Sequence, residues 1–164
     1  ATAIVLPGVG AFGDAMASLE AHDFVAPLIA ALRAGVPFLG ICLGLQLLFE
    51  TSSELGEFRG LGILPGRVRR FGPGITVPQM GWNQVRQVRA SALWRDVPDN
   101  AYTYFVHSYY AEPGDPNDII GSTEYGITYA SAVEHGNIYA IQFHPEKSQD
   151  VGERILGNFV RRMS

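Results

Sequence analysis

The chain has 164 residues, of which 47% are apolar and 17% charged, and its formal net charge is −4. This size and composition suit one domain with a single core and exclude a disordered chain. The acidic balance argues against nucleic acid as a general partner, because proteins that bind nucleic acid usually carry a basic patch. Arg67, Arg69 and Arg70 form the nearest approach to such a patch, and we interpret them as a solvated strand face.

The number of cysteines and the lengths of the apolar runs indicate the cellular compartment of the protein. One cysteine allows no internal disulfide, so we expect a reducing cytoplasm. The longest apolar stretch, residues 35–49, is interrupted by Gln46 and is shorter than the roughly 18–20 residues that cross a bilayer. We therefore expect no membrane partner. No signal peptide is visible, and the chain begins inside a strand-like run, so we expect an incomplete N-terminus.

Predicted strands and helices alternate in the first half of the chain. The apolar runs have the length of buried strands, and the helical patterns carry cap residues at their ends. This alternation predicts a parallel sheet covered by helices. In chain order we predict a strand over residues 2–6, a helix capped by Asp14 that breaks near residues 23–27 and ends at Gly35, a strand over residues 36–41 and a helix over residues 43–51.

The second half consists mainly of predicted strands separated by Gly, Pro and Asn turns. His135-Gly136-Asn137 indicates a hairpin turn. The complete pattern predicts one three-layer α/β domain over residues 1–164, with a mostly parallel central sheet that becomes mixed or antiparallel in its second half. The predicted strands cover residues 68–71, 83–88, 102–110, 119–122, 130–134 and 138–143, and an amphipathic helix covers residues 153–162.

The cysteine lies in Gly40-Ile41-Cys42-Leu43-Gly44, between an apolar strand and an apolar helix. This G-x-C-x-G pattern matches a nucleophile elbow with cysteine in place of serine. Glycine at both flanking positions removes the Cβ atoms that would collide in so tight a turn. We expect the helix N-terminus to lower the pKa of the thiol. The alternative interpretation is a buried structural cysteine.

A candidate base follows the last apolar run, in His144-Pro145-Glu146. Side chains two residues apart point to the same side of an extended segment, so Glu146 can accept a hydrogen bond from the His144 ring. A thiol, an imidazole and a carboxylate in series activate a nucleophile. A surface turn is the alternative interpretation of this tripeptide.

The remaining histidines compete weakly for the role of base. His22 lies in a polar helix patch and His135 at a hairpin tip, and solvated roles suit both. His107, within a predicted strand, is the one serious rival. It has no carboxylate at matching spacing.

A glycine-rich loop, residues 8–13, follows the first strand and fits G-x-G-x-x-G. A dinucleotide site also requires an acidic residue about 20 positions later, and residues 25–49 contain no Asp or Glu. The loop's N–H groups can instead join that of Leu43 to bind an oxyanion. A plain strand-to-helix turn is compatible with both hypotheses.

Several segments resemble a known family. Residues 40–46 with residues 144–146 resemble the class I (triad) glutamine amidotransferases. Residues 7–16, 80–83 and 105–109 resemble, more narrowly, the glutaminase subunits of imidazole glycerol phosphate synthases. The resemblance covers nearly the whole chain and implies a flavodoxin-like fold. Family members usually begin with a further strand and helix, which this sequence lacks, so we expect an unpaired sheet edge.

The resemblance also implies a reaction and a partner. Cys42 attacks the carboxamide of glutamine, His144 shuttles the proton and Glu146 orients the imidazole. Ammonia then passes to a separate (β/α)8-barrel cyclase subunit, in a heterodimer of histidine biosynthesis that needs no cofactor or metal. By position, Gln46, Ser108 and Tyr109 resemble residues that hold glutamine, Gly8, Val9 and Gly10 resemble the oxyanion strand, and Trp82, Asn83 and Lys147 resemble residues that face the cyclase.

Alternatives remain for these assignments. Gln46 as a solvated helix residue, Trp82 as a core aromatic and Lys147 as a surface charge stay open. The chain as a whole is alternatively the glutaminase of another pathway (anthranilate, pyridoxal phosphate or purine nucleotide synthesis) or a non-catalytic binding domain. Asp14, Met16 and residues 80–83 argue against another pathway. The intact set of Cys42, His144 and Glu146 argues against a non-catalytic domain.

Overall fold

The structure, a computed structural model, describes the backbone of residues 1–163. Its helices are α1 (Phe12–Ala21), α2 (Val25–Arg33), α3 (Leu43–Gln46) and α4 (Gln149–Met163). Its strands are β1 (Ile4–Leu6), β2 (Phe38–Ile41), β3 (Thr51–Ser52), β4 (Phe58–Arg59), β5 (Gly66–Arg70), β6 (Gln79–Gln87), β7 (Ala101–His107), β8 (Tyr109–Pro113), β9 (Ile119–Tyr125), β10 (Ile127–His135) and β11 (Ile138–Ile141).

One mixed sheet organises the chain. Its main path has the order β1-β2-β11-β10-β8-β5-β3-β4, with β9 paired to β10 and β6 joining β9 to β7. The pairs β1–β2, β2–β11 and β3–β5 are parallel, and the other pairs are antiparallel. The predicted α/β class with a mixed second half is therefore confirmed, and β1 lies at one end of the path.

Helices cover both faces of the sheet, which makes the predicted three layers. On β2, Phe38 packs into the core beneath α1 and α2, whereas Leu39 and Ile41 pack into the core beneath α4. Both sides of this short strand are buried, as expected for a parallel strand between two helical layers. Cys42, which follows β2, belongs to the core on the α4 side.

The prediction of a helix over residues 43–51 was wrong beyond its first turn. Helix α3 ends at Gln46, and residues 47–49 are nevertheless fully buried. The carbonyls of residues 47–50 accept hydrogen bonds from the N–H groups of residues 60–64, so a distant loop replaces the helical ladder. The apolar residues of this segment correctly indicated that it is buried. An apolar run alone does not distinguish a buried helix from a buried turn.

The predicted N-cap of α1 was also wrong. The helix begins two residues before Asp14, with Ala11 at the cap position and no side-chain cap from the local sequence. The first helical N–H, that of Phe12, donates instead to Oε2 of Glu54 at 3.2 Å. A carboxylate at a helix N-terminus satisfies a free N–H group and the helix dipole together.

The strand predicted over residues 102–110 is two strands. Ser108 separates β7, which pairs with β6, from β8, which pairs with β5 and β10. The two short strands β3 and β4 were missed. The hairpin at Gly136-Asn137 is confirmed, because His135 pairs with Ile138 across the turn.

Among the described residues no single helix is long and apolar enough to cross a membrane. Helices α1 and α2 have the length and apolar composition of a membrane span only when they are taken together, and the chain bends by 94° between them.

Candidate active site

The elbow between β2 and α3 places Cys42 in a backbone conformation that side chains rarely adopt, with φ 54° and ψ −109°. Close packing on both sides holds it there. A Cβ atom on Gly40 would lie 2.7 Å from the carbonyl oxygen of Gly44, and one on Gly44 would lie 1.8 Å from the carbonyl oxygen of Leu6. Both positions therefore require glycine, as the sequence motif predicted.

The predicted lowering of the thiol pKa was wrong for this structure. Cys42 is 6% exposed, and burial raises its pKa from 9.0 to about 11. Hydrogen bonds from the N–H of Leu43 and the side chain of Gln142 oppose this rise without cancelling it.

His144 and Glu146 lie together at the carboxyl end of β11. Nδ1 of His144 is 2.7 Å from Oε1 of Glu146, and Nε2 has no hydrogen-bond partner among the described residues. A carboxylate can only accept from Nδ1, so the neutral ring carries its lone pair on Nε2. Because β11 and β2 are adjacent parallel strands, their carboxyl ends bring this pair and Cys42 to the same edge of the sheet.

Strand β7 anchors the histidine from the other side. The N–H of His144 donates to the carbonyl of Tyr104 at 2.9 Å. The hydroxyl of Ser148, 1% exposed, donates to the carbonyl of His144 at 2.6 Å and accepts from the N–H of Tyr104 at 3.0 Å. The backbone of the candidate base is therefore fixed by three hydrogen bonds to or through Tyr104 and Ser148.

A cleft of about 490 Å³ opens above the sulfur. Its lining includes seven of the residues predicted from the sequence, namely Val9, Gly10, Cys42, Leu43, Gln46, Ser108 and Tyr109. The cleft lies at the carboxyl ends of parallel strands, the usual place for a ligand in an α/β fold.

The loop before α1 does not present an open oxyanion site. The N–H of Leu43, the predicted oxyanion donor, is shared between the carbonyl of Gly8, at 3.4 Å, and the sulfur of Cys42. Gly10, at φ 100°, belongs to the left-handed region that favours glycine.

Glu54 is a functional candidate that was not predicted from the sequence. Its half-buried carboxylate lines the cleft and caps α1. Burial raises the pKa of this carboxyl group above its ordinary value, against the hydrogen bond from the N–H of Phe12. No local motif marks Glu54, because tertiary packing alone brings it to the cleft.

Two further residues were missed. Gln142 lies at 0% exposure with Nε2 3.6 Å from Sγ of Cys42, and Ser148 holds the His144 backbone. Their proximity in sequence to His144 was the one signal that could have found them.

His107, the alternative base, is engaged elsewhere. Its Nδ1 donates to the carbonyl of Tyr109 at 2.7 Å, and its Nε2 lies 3.1 Å from the hydroxyl of Tyr129. Burial lowers its pKa from 6.5 to about 4, which keeps the ring neutral. Both ring nitrogens are occupied, so His107 serves the structure of the cleft wall.

The residues predicted to face a partner lie on and beside β6 and β7. Trp82 is 47% exposed, which excludes the core-aromatic alternative, and its ring meets that of Tyr104 edge to face at 5.9 Å. Nζ of Lys147 lies 5.7 Å from the centre of the Tyr104 ring. Nδ2 of Asn83 donates to the carbonyl of Glu124 at 2.9 Å.

The fold and the site together place this chain among the α/β proteins in which a cysteine at a tight strand-to-helix turn faces a cleft. Comparisons with known proteins identify the family within this class. The family model for class-I glutamine amidotransferases matches residues 1–163. Imidazole glycerol phosphate synthase subunit HisH of Moorella thermoacetica is 52% identical over 159 residues, which cover 97% of this chain and 76% of that protein. Subunit HisH of a Nostoc species is 49% identical over 167 residues, covering 99% of this chain and 79% of that protein.

Solved structures agree on the fold. PurLQS from Thermotoga maritima aligns with a TM-score of 0.75 at 15% identity, covering 99% of this chain and 80% of that one. A crystal structure of a glutamine amidotransferase aligns with a TM-score of 0.74 at 17% identity, covering 99% and 79%. The chain therefore belongs to the class-I glutamine amidotransferase family, in the branch formed by the HisH subunits of imidazole glycerol phosphate synthase. The family predicted from the sequence is confirmed.

Proposed function

We propose that this chain hydrolyses glutamine to glutamate and ammonia with Cys42 as nucleophile. The observation that carries the proposal is the His144–Glu146 pair at 2.7 Å, whose free Nε2 lies at the same sheet edge as the thiol. His144 takes the proton of Cys42 as Sγ attacks the carboxamide carbon, and returns it to the departing ammonia. The thioester is then hydrolysed by water, which His144 deprotonates. Glu146 keeps the required tautomer in place.

The cleft supplies complementary groups for the amino-acid end of glutamine. Both amide hydrogens of Gln46 are used, by the carbonyl of Tyr109 at 3.0 Å and by Oε1 of Gln142 at 3.2 Å. Gln46 therefore offers its own oxygen, an acceptor, to the substrate. Together with the carboxylate of Glu54 it suits the α-ammonium group, and the hydroxyl of Ser108 suits the α-carboxylate.

Oxyanion stabilisation requires the loop to move. The carbonyl of Gly8 occupies the N–H of Leu43, so the tetrahedral intermediate lacks this donor in the present conformation. Loss of one such donor typically costs about 2.7–4 kcal/mol of transition-state stabilisation. We expect low glutaminase turnover in the isolated chain and higher turnover when a ligand-loaded partner is bound. Equal turnover with and without the partner would refute this.

The proposed partner is a cyclase subunit of (β/α)8-barrel fold, which receives the ammonia in a cytoplasmic heterodimer of histidine biosynthesis. The HisH name of the relatives supports this assignment. An exposed apolar face formed by Met80, Trp82 and Tyr102 on β6 and β7 offers a docking surface. It leads along β7 to Val106, which lines the cleft, so ammonia released there has a short path to the partner.

Covalent labelling tests the nucleophile. A glutamine analogue that alkylates thiols should add one label per chain, and mass spectrometry can assign it because Cys42 is the only cysteine in the sequence. Labelling should vanish in Cys42→Ala and glutaminase turnover should vanish with it. Labelling that persists in His144→Ala leaves the nucleophile in place and questions only the base. An unlabelled wild-type protein would refute the proposal.

Partner docking needs a separate test. Trp82→Ala should weaken the complex by about 2 kcal/mol, roughly 30-fold in Kd, measured by titration of the cyclase subunit. Val88→Ala, which truncates an exposed apolar residue beyond the end of β6, is the matched control. Equal affinity of the two variants would exclude this face.

A further inference from the structure

A chain of buried hydrogen bonds leads from a backbone carbonyl to the sulfur of Cys42. The carbonyl of Tyr109 accepts two hydrogen bonds, from Nδ1 of His107 at 2.7 Å and from Nε2 of Gln46 at 3.0 Å. A carbonyl can only accept, so the amide nitrogen of Gln46 must face it. This fixes which way the Gln46 side chain is turned.

The orientation of the Gln46 amide in turn fixes that of Gln142. Nε2 of Gln46 also lies 3.2 Å from the side chain of Gln142, and a donor there requires Oε1 of Gln142 to face it. The amide nitrogen of Gln142 must then point the other way, where it meets Sγ of Cys42 at 3.6 Å. The orientation of both side-chain amides therefore follows from one backbone carbonyl.

Gln142 has no freedom to leave this position. Its side chain is 0% exposed, and its backbone N–H donates to the carbonyl of Ser131 at 2.9 Å. It directly follows β11 and stands two residues before His144. An N–H donor is thus held on the sulfur before any ligand arrives.

We propose that Gln142 is a positioning residue for the nucleophile, which holds an N–H on Sγ of Cys42 and thereby favours the reactive thiolate. The inference rests on the proposed role of Cys42 as nucleophile. It assigns Gln142 no contact with the substrate and no proton transfer.

The other groups around the sulfur explain why such a donor matters. Burial opposes thiolate formation most strongly, and the charge of Glu146 adds to it. The N–H of Leu43, the amide of Gln142 and the charge of Lys147 act in the opposite direction. Among these, Gln142 provides the one side-chain hydrogen bond to the sulfur. Of the neighbouring titratable groups, His107 is kept neutral by burial, and burial also raises the pKa of Tyr129 so that its hydroxyl stays neutral.

The test is the pH dependence of alkylation of the full chain by iodoacetamide, a small neutral reagent that reports the thiolate. Gln142→Met keeps the length of the side chain and removes the donor. We expect the rate of Cys42 alkylation at a fixed pH below the thiol pKa to fall about tenfold, with the midpoint of the profile moved up by about one pH unit. Gln142→Glu, which sets a carboxylate against the sulfur, should lower the rate further.

Gln87→Met is the matched control, because Gln87 also donates to a carbonyl, that of Val97, but lies at the far end of β6. Circular dichroism verifies folding, and Gln142→Glu replaces Gln142→Met if the latter does not fold. A merely structural role would lower the melting temperature and leave the midpoint in place. An unchanged midpoint in a folded Gln142 variant overturns the inference, whereas an inert Cys42 in the wild type refutes the proposed nucleophile instead.

Discussion

Replacement of Ser148 by alanine tests how the candidate base is held. The hydroxyl is 1% exposed and joins the carbonyl of His144 to the N–H of Tyr104, at 2.6 and 3.0 Å. Ser148→Ala removes both hydrogen bonds and creates only a small cavity. The carbonyl of His144 keeps a hydrogen bond from the N–H of Lys147 at 3.1 Å, so the N–H of Tyr104 is the group that loses its partner, and we expect a loss of about 1–3 kcal/mol.

This loss converts into measurable quantities. For a chain of this length each kcal/mol lowers Tm by about 2–4 °C, so Ser148→Ala should melt about 2–12 °C below the wild type. The loosened His144 should also lower kcat for glutamine about tenfold or more, because small misplacements of a reacting group are costly. Thermal unfolding followed by circular dichroism and a glutamate-release assay measure the two effects.

Ser91→Ala provides the control for Ser148→Ala. Ser91 caps the short 3-10 turn Ala92–Trp94 through one hydrogen bond, to the N–H of Leu93 at 3.2 Å. It should cost about 1 kcal/mol and leave kcat unchanged. A Ser148→Ala protein with wild-type Tm would show that the hydroxyl of Ser148 contributes no stability. A lowered Tm with unchanged kcat would refute the positioning of His144.

Three further predictions concern the elbow, the cleft and the buried histidine. Gly44→Ala forces a Cβ to 1.8 Å from the carbonyl of Leu6 and should prevent folding, whereas Gly72→Ala, with open space around it, should fold normally; soluble yield and circular dichroism measure this. Glu54→Gln keeps an acceptor for the N–H of Phe12 but loses the charge, so KM for glutamine should rise about 10–100-fold with kcat nearly constant. An unchanged KM would exclude Glu54 from the substrate site. His107 has a pKa near 4 when folded and 6.5 when unfolded, so its contribution is present above pH 6.5 and is lost as pH falls to 4. Wild-type stability from urea unfolding should therefore drop by about 3 kcal/mol more than that of His107→Asn over this range; parallel curves would contradict it.

The local sequence was sufficient to predict those parts of the site whose residues are close together in the chain. Gly40, Cys42 and Gly44 predict an elbow because any elbow of this kind requires small residues two positions from the nucleophile. His144 and Glu146 lie on one side of an extended segment, so their contact follows from strand geometry. The alternation of strands and helices in the first half of the chain was also predictable, because buried parallel strands are short apolar runs.

Tertiary structure decided everything that depends on residues far apart in the chain. The helix after Cys42 ends at Gln46 because residues 60–64 supply its next hydrogen bonds, and α1 begins at Phe12 because Glu54 reaches it from 42 residues away. Burial of Cys42 outweighs the hydrogen bonds from Leu43 and Gln142 and raises the pKa of the thiol to about 11, a balance that no sequence motif predicts.

The sequence by itself determined the candidate side chains for the chemistry and, through its resemblance to a family, what reaction to expect. Only the tertiary structure decided how those side chains are held: Ser148 on His144, Gln142 on Cys42 and the carbonyl of Gly8 against Leu43. The physical reason is that hydrogen-bond partners and desolvation are set by whatever packs nearby in space, and spacing along the chain specifies neither.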